Sequence, residues 1–143
     1  MLVKQLSVFV ENKPGRLSDV IEVLGKNDID ISALSLADTS EYGILRLIVN
    51  KPDEAKTLLR EIGVIVKLAD VVAVPMEDTP GGLSKILSVF AKNNVDVDYM
   101  YAFVGATSGK ALMVVKVSDA QLAENALDNA GIPHAEAKDV YRL

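Results

Sequence analysis

The sequence predicts an α+β chain of two βαββαβ repeats, each an antiparallel sheet with its helices on one face, packed side by side. Three observations carry this. The chain repeats itself at an offset of 66 residues. Each copy alternates strand-type and helix-type apolar periodicity in the same order. The 143 residues, 50% hydrophobic and 24% charged, have a globular composition. Two units of about 70 residues would each be marginal alone, so they are expected to pack on each other.

The repeat is plainest at residues 14–31, PGRLSDVIEVLGKNDIDI, against residues 80–97, PGGLSKILSVFAKNNVDV. They align without a gap, with 8 of 18 positions identical. Leu2–Val10 partly alternates and is rich in β-formers, which reads as a first strand. The Pro14-Gly15 turn follows. Leu17, Val20, Ile21 and Leu24 then fall on one helix face, as do Leu83, Ile86, Leu87 and Phe90 in the second copy. Asp30-Ile31 and Asp96-Val97 open second strands. Gly43 and Gly109 mark turns before apolar third strands at Ile44–Val49 and Ala111–Val117.

A second helix follows in each half. Pro52 suits the first helical position, with Asp53 and Glu54 favourable in the first turn. Ser118 and Gln121 have capping-box spacing. Gly63 and Gly131 fit helix ends. Closing strands are expected at Asp70-Val71 and Asp139-Val140. This is the ferredoxin-like split βαβ order. Residues 64–76 are nearly all apolar, so the last strand of the first repeat (1–69) should run directly into the first strand of the second (70–143). Pro75 sits in that strand and predicts a bulge or a strand end.

Composition excludes several chemistries. Cysteine is absent, which removes disulfides, thiolate metal sites and thiol nucleophiles. His134 is the single histidine and has no partner motif. No apolar run approaches a membrane span, and the N-terminal stretch lacks a signal-peptide core. A soluble, cytoplasmic protein without metal or cofactor is the expectation. Net charge is −5, with 9 basic and 10 acidic residues before residue 70 and 6 and 10 from there on. Neither half offers the basic footprint of a nucleic-acid binder.

The repeated turns Glu11-Asn12-Lys13-Pro14-Gly15-Arg16-Leu17 and Glu77-Asp78-Thr79-Pro80-Gly81-Gly82-Leu83 are the most specific features. Glycine lets another group approach the backbone, and a helix start favours an anion such as a carboxylate. Asn12 or Asp78 is placed to hold an ammonium group, so a turn could take both ends of a zwitterion. Against this, every helix needs a start, Pro-Gly is common punctuation, and Asn12 and Asp78 would serve as local caps.

With Asn27-Asp28-Ile29-Asp30-Ile31 and Asn93-Asn94-Val95-Asp96-Val97 downstream of these turns, the whole chain resembles two tandem ACT domains. The resemblance implies a non-catalytic regulatory protein that binds a small amino acid and pairs as a dimer. It implies a ligand held between the β1–α1 turn of one domain and the second strand of its neighbour. Carried onto this sequence, the contacts are Asn12, Gly15, Arg16 and Leu17, and Asp78, Gly81, Gly82 and Leu83, with Ser32–Leu36 and Asp98–Ala102 as the neighbouring strands. Gly82 and Asp78 favour the second turn over the first, where Arg16 and Asn12 stand. Tyr99, Tyr101 and Phe103 alternate on one strand face, and either they or Met100 opposite would wall a ligand side chain or simply pack.

Competing readings are weaker. Acylphosphatase-like enzymes share the topology and use a loop arginine, but the Pro-Gly turn beside Arg16 is a poor substitute for their glycine-rich loop. RNA-binding domains of this order need aromatics on the first and third strands, and Ile44–Val49 and Ala111–Val117 hold none. A regulatory subunit of a metabolic enzyme, such as the small subunit of acetohydroxyacid synthase, and a purely structural dimerisation module remain as alternatives.

Overall fold

The computed structural model describes residues 2–38, 41–77, 79–103 and 110–141. They form β1 (Val3–Glu11), α1 (Arg16–Lys26), β2 (Ile31–Asp38), β3 (Tyr42–Val49), α2 (Pro52–Glu61), β4 (Ile65–Glu77), α3 (Gly82–Lys92), β5 (Val97–Ala102), β6 (Lys110–Val117), α4 (Ala120–Asn129) and α5 (Ala137–Val140). No helix among the described residues is long and apolar enough to cross a membrane. The chain divides into two compact units. Lys4–Ala69 and Tyr141 make one, and Asp70–Val140 with Leu2 and Val3 makes the other.

In the unit of the first repeat the strand order is β2-β3-β1-β4. β1 pairs with β3 through Leu6↔Leu47 and Val8↔Leu45, and β2 pairs with β3 through Leu34↔Leu47 and Leu36↔Leu45. Leu6, Val8, Leu45 and Leu47 share the helix-covered face with Val20 and Leu24 of α1 and Ala55 and Leu59 of α2. The period-two and period-3.6 patterns thus meet in one core. Gly43 lies within β3, paired with Val10, rather than in a turn before it.

In the other unit the order is β4-β6-β5. Val72, Val74, Val115 and Val117 face Ile86 and Phe90 of α3 and Ala123 and Leu127 of α4. β4 is one 13-residue strand, so residues 64–76 do run straight from one repeat into the next. Two expectations fail here. Pro75 causes no bulge, since the β4–β6 register runs unbroken from Val72↔Val115 through Pro75↔Leu112 to Glu77↔Lys110. The Ala73 carbonyl accepts from the Ala135 N–H at 2.7 Å on the side away from β6. Alternation along the strand turns residue 75 to that same side, so its missing N–H costs the ladder nothing.

The second failure is the closing strand at Asp139-Val140, which is instead the single helical turn α5. After Gly63 the first repeat enters β4 directly. After Gly131 the second meets Pro133, which cannot donate to a ladder. Ala135 makes its one bond to Ala73, and the chain then coils with Ala137 and Val140 buried. The cap of α4 is also one residue later than the spacing predicts, with Asp119 accepting from the Leu122 N–H at 3.1 Å. Pro52 does open α2.

The Asn-x-(Ile/Val)-Asp element has a structural explanation in both repeats. Asn27 and Asn93 each donate from Nδ2 to a helix carbonyl, of Val23 and Val89, at 2.8 Å. Asp28 and Asn94 take φ 55°, a left-handed conformation that Asn and Asp tolerate. Ile29 and Val95 are buried. The Asp30 N–H donates to Asn50 Oδ1, and the Asp96 N–H to Ser118 Oγ. The element therefore ends a helix and ties the next strand to its neighbour.

Candidate functional site

The two turns share a backbone. α1 is preceded by Gly15 at φ 87° and α3 by Gly81 at φ 88°, and neither glycine supplies a side-chain cap to its helix. Pro14 and Pro80 therefore stand before the caps, outside the first helical turn. A Cβ on Gly15 or Gly81 would meet nothing within 4 Å, so glycine is needed there for its dihedral angle, and the space beside it is open. A helix start without such a cap leaves backbone donors for an anion.

Their surroundings differ. In the first turn Lys13 pairs with Glu11 at 3.1 Å. That hydrogen bond, with the Lys13 and Arg16 charges behind it, holds the Glu11 carboxyl below the usual range. The Asn12 N–H donates to the Glu41 carbonyl at 3.3 Å, and Asn12, Gly15, Arg16 and Leu17 are all exposed. In the second turn Gly82 donates from its N–H to the Thr79 carbonyl at 3.1 Å. A Cβ on Gly82 would overlap the Glu77 carbonyl oxygen. The close approach expected at Gly82 is thus taken by the chain's own backbone, whereas Arg16 at the matching place carries a side chain. Leu83 is half-buried, and Asp78 lies outside the described residues.

Tyr99 and Met100 lie on β5, an outer strand separated from β4 by β6. Being adjacent, they point to opposite faces. Met100 pairs with Val115 and packs on the core beneath the helices. Tyr99 and Tyr101 occupy the other face, with ring centroids 6.5 Å apart and an interplanar angle of 18°. Tyr99 and Met100 therefore do not share one wall. On β2 the Ser32 hydroxyl is fully buried, while Leu34 and Leu36 are 45% and 52% exposed.

The structure adds a feature that the motifs did not mark. A cleft of about 180 Å³ lies between the end of β4, the first turns of α3 and Gly131–Pro133. Gly82 and Gly131, which the sequence offers as a close-approach glycine and a helix end, both line it. Beside it, His134 is clasped by α4, with Nε2 at 3.0 Å from Asp128 Oδ1 and Nδ1 at 3.2 Å from Glu124 Oε2, the latter contact lacking hydrogen-bond alignment. No group of His, Asp and Glu able to hold a metal ion occurs among the described residues.

A family model described as an ACT domain pair matches residues 1–143. No curated protein matches. Among solved structures, the protein BT0572 from Bacteroides thetaiotaomicron is 38% identical, with a TM-score of 0.94, over 100% of this chain and 98% of that one. The regulatory subunit of aspartate kinase from Thermus thermophilus is 16% identical, with a TM-score of 0.65, over 90% of this chain and 92% of that one. Its counterpart from Thermus flavus is 19% identical, with a TM-score of 0.60, over 92% and 94%.

Proposed function

The chain belongs to the ACT domain pair family, and from that premise we propose that it is a non-catalytic regulatory protein whose signal is a small amino acid. The observation that carries the reading is the match of a paired regulatory module to the entire chain, residues 1–143. The ligand carboxylate is placed against the start of α1 or α3, beside Gly15 or Gly81, where a neighbouring group can approach. Asn12, Arg16 and Leu17 flank the first turn. Asp78, Gly82 and Leu83 flank the second, and Asp78 is the better ammonium partner. Tyr99 and Met100 belong to the strand offered by a neighbour, one on each face.

Regulation then follows from linkage. A ligand that bridges a turn and a neighbouring strand favours the association containing that bridge, by its differential affinity for the two states. β2 is an outer strand of its unit and carries the exposed Leu34 and Leu36. Such an edge is a surface that folded proteins cover, which supports a homodimer. A second reading is a subunit of a metabolic enzyme. It is supported by the near-equal extent of this chain and the aspartate kinase regulatory subunits, over 90% and 92% of the respective chains for the Thermus thermophilus protein.

The test is thermal unfolding against each of the twenty amino acids. A ligand at about 100 times its Kd adds about 2.7 kcal/mol of stability, so a selective rise in Tm identifies the signal. A flat panel, together with a monomer in sedimentation, would reject the sensor.

A further inference from the structure

We propose that the second repeat is a peroxide-responsive module, modified by reversible sulfoxidation of Met76, Met100 and Met113. The chain holds four methionines and no cysteine, so two-electron oxidation by a peroxide falls on thioethers. Met1 lies outside the described residues. The other three all stand on the helix-covered face of the second repeat. Met113 pairs with Val74, and Met76 is the next residue of β4 on that face. Met100 pairs with Val115, the next residue of β6 on that face after Met113. The three form a diagonal row across β4, β6 and β5, each within a long side chain's reach of the next. All are half-buried and pack on the core beneath α3 and α4.

The first repeat supplies an internal comparison. Val8 pairs with Leu45 as Val74 does with Met113, and Leu34 with Leu47 as Met100 does with Val115. By the same register Val10 stands where Met76 does. Val10, Leu34 and Leu45 are hydrocarbons, so the equivalent row in the first repeat offers peroxide no sulfur. Residues of either kind satisfy the packing, and the second repeat carries the oxidisable kind at all three places. Met76 also lines the cleft beside α3, which opens that residue to a solute as small as hydrogen peroxide.

The chemistry balances with peroxide as oxidant. A sulfur lone pair attacks one peroxide oxygen, and the S–O bond forms as the O–O bond breaks. The departing hydroxide takes the proton of the transferred oxygen and leaves as water. Sulfur loses two electrons and peroxide gains them. The product is a polar, chiral sulfoxide in place of a flexible apolar side chain. The core beside it, with Val74, Ile86, Phe90 and Val115, is hydrocarbon, and its side chains hold no donor for the new oxygen. An unpartnered oxygen there weakens the folded second repeat. The response is local opening of that repeat while the first stays closed. Met76 adjoins Glu77, whose carbonyl oxygen abuts Gly82, so the opening reaches the β4–α3 turn.

The experiment treats the full chain with hydrogen peroxide. Peptide mass spectrometry reads sulfoxide at each methionine, and amide hydrogen exchange reads opening in each repeat. The expected result is sulfoxide at Met76, Met100 and Met113, with exchange in β5, β6 and α3 faster by about tenfold or more. Exchange in β2, β3 and α1 should not change. Methionine sulfoxide reductases A and B, one for each epimer, should restore both readouts. Met76→Val, Met100→Leu and Met113→Leu copy the first repeat. The triple variant should keep its exchange pattern in peroxide, and Met1, retained there, is its control. Met113→Leu alone should lose part of the response, which keeps the test open if the triple variant does not fold. Three thioethers that stay reduced where peroxide converts free methionine overturn the proposal. So does sulfoxide without faster exchange in the second repeat, and so does a response undiminished by these substitutions. Opening that the reductases do not reverse also overturns it, leaving an oxidative lesion only. Peroxide is the sole probe, so a flat amino-acid panel bears on the turn site and not on this one.

Discussion

The carbonyl oxygen of Glu77 occupies the place where a side chain on Gly82 would begin. Gly82 is thereby a packing glycine, while Gly81 beside it, at φ 88°, is a conformational one. Gly82→Ala forces the β4–α3 connection apart and is expected to cost about 1–3 kcal/mol. Arg16→Ala, at the matching position, should stay within about 0.5 kcal/mol as an exposed surface change. Urea unfolding of both variants checks this, and equal midpoints would contradict the overlap.

Asp30 and Asn50 clasp each other across the start of β2. The Asp30 N–H donates to Asn50 Oδ1 at 3.0 Å, and the Asn50 N–H donates to the Asp30 carbonyl at 3.2 Å. Asp96 and Ser118 repeat the arrangement. Asn50→Ala and Ser118→Ala each remove only the side-chain bond and should cost about 0.5–1.5 kcal/mol. The same chemical denaturation series measures it, and faster hydrogen exchange at the Asp30 or Asp96 amide should accompany the loss.

Leu24 and Phe90 hold matching places in the two cores, and both are essentially inaccessible. Leu24→Ala is expected to cost about 2–5 kcal/mol and Phe90→Ala about 3–5 kcal/mol. Calorimetry on both variants reads the sizes. A loss below about 1 kcal/mol at either would mean that the cavity collapses fully.

The Glu124 side chain is 8% exposed and His134 is 12% exposed. His134→Ala leaves the Glu124 carboxylate buried without the ring beside it. The expected loss is about 1–3 kcal/mol, with Glu124→Gln in the His134→Ala background restoring part of it. A double-mutant cycle by thermal unfolding measures the coupling, and strictly additive effects would show that the pair does not interact.

On α1, the hydrogen bond from Lys26 and its charge hold the Glu22 carboxyl below its ordinary value of 4.5. A depressed folded-state value means that the pair's contribution is present above the unfolded value and is lost as pH falls through the lower folded one. The stability difference between the native chain and Glu22→Gln should therefore shrink on acidification below about pH 4.5. Both groups are exposed, so the difference should be small and fall with added salt. Acid unfolding at two ionic strengths checks the sign, and a difference that grows toward low pH would contradict it.

By itself the sequence determined the repeat, the element order as far as α4, and the helix faces. Val20 and Leu24, like Ile86 and Phe90, are spaced for burial by local geometry that each repeat carries in its own residues. It also determined that glycine stands where the two turns need it. Tertiary structure decided the rest. Whether Asp139-Val140 forms a strand depended on what runs beside β4, because a ladder needs donors on two segments and Pro133 interrupts one of them. Whether Gly82 faces a ligand or its own chain depended on where the Glu77 carbonyl lands, five residues back and on another element. The cleft joins β4, α3 and Gly131–Pro133, whose separation along the chain leaves no local pattern to read. Periodicity records which face of an element avoids water, and only the packed elements fix which groups meet across the space between them.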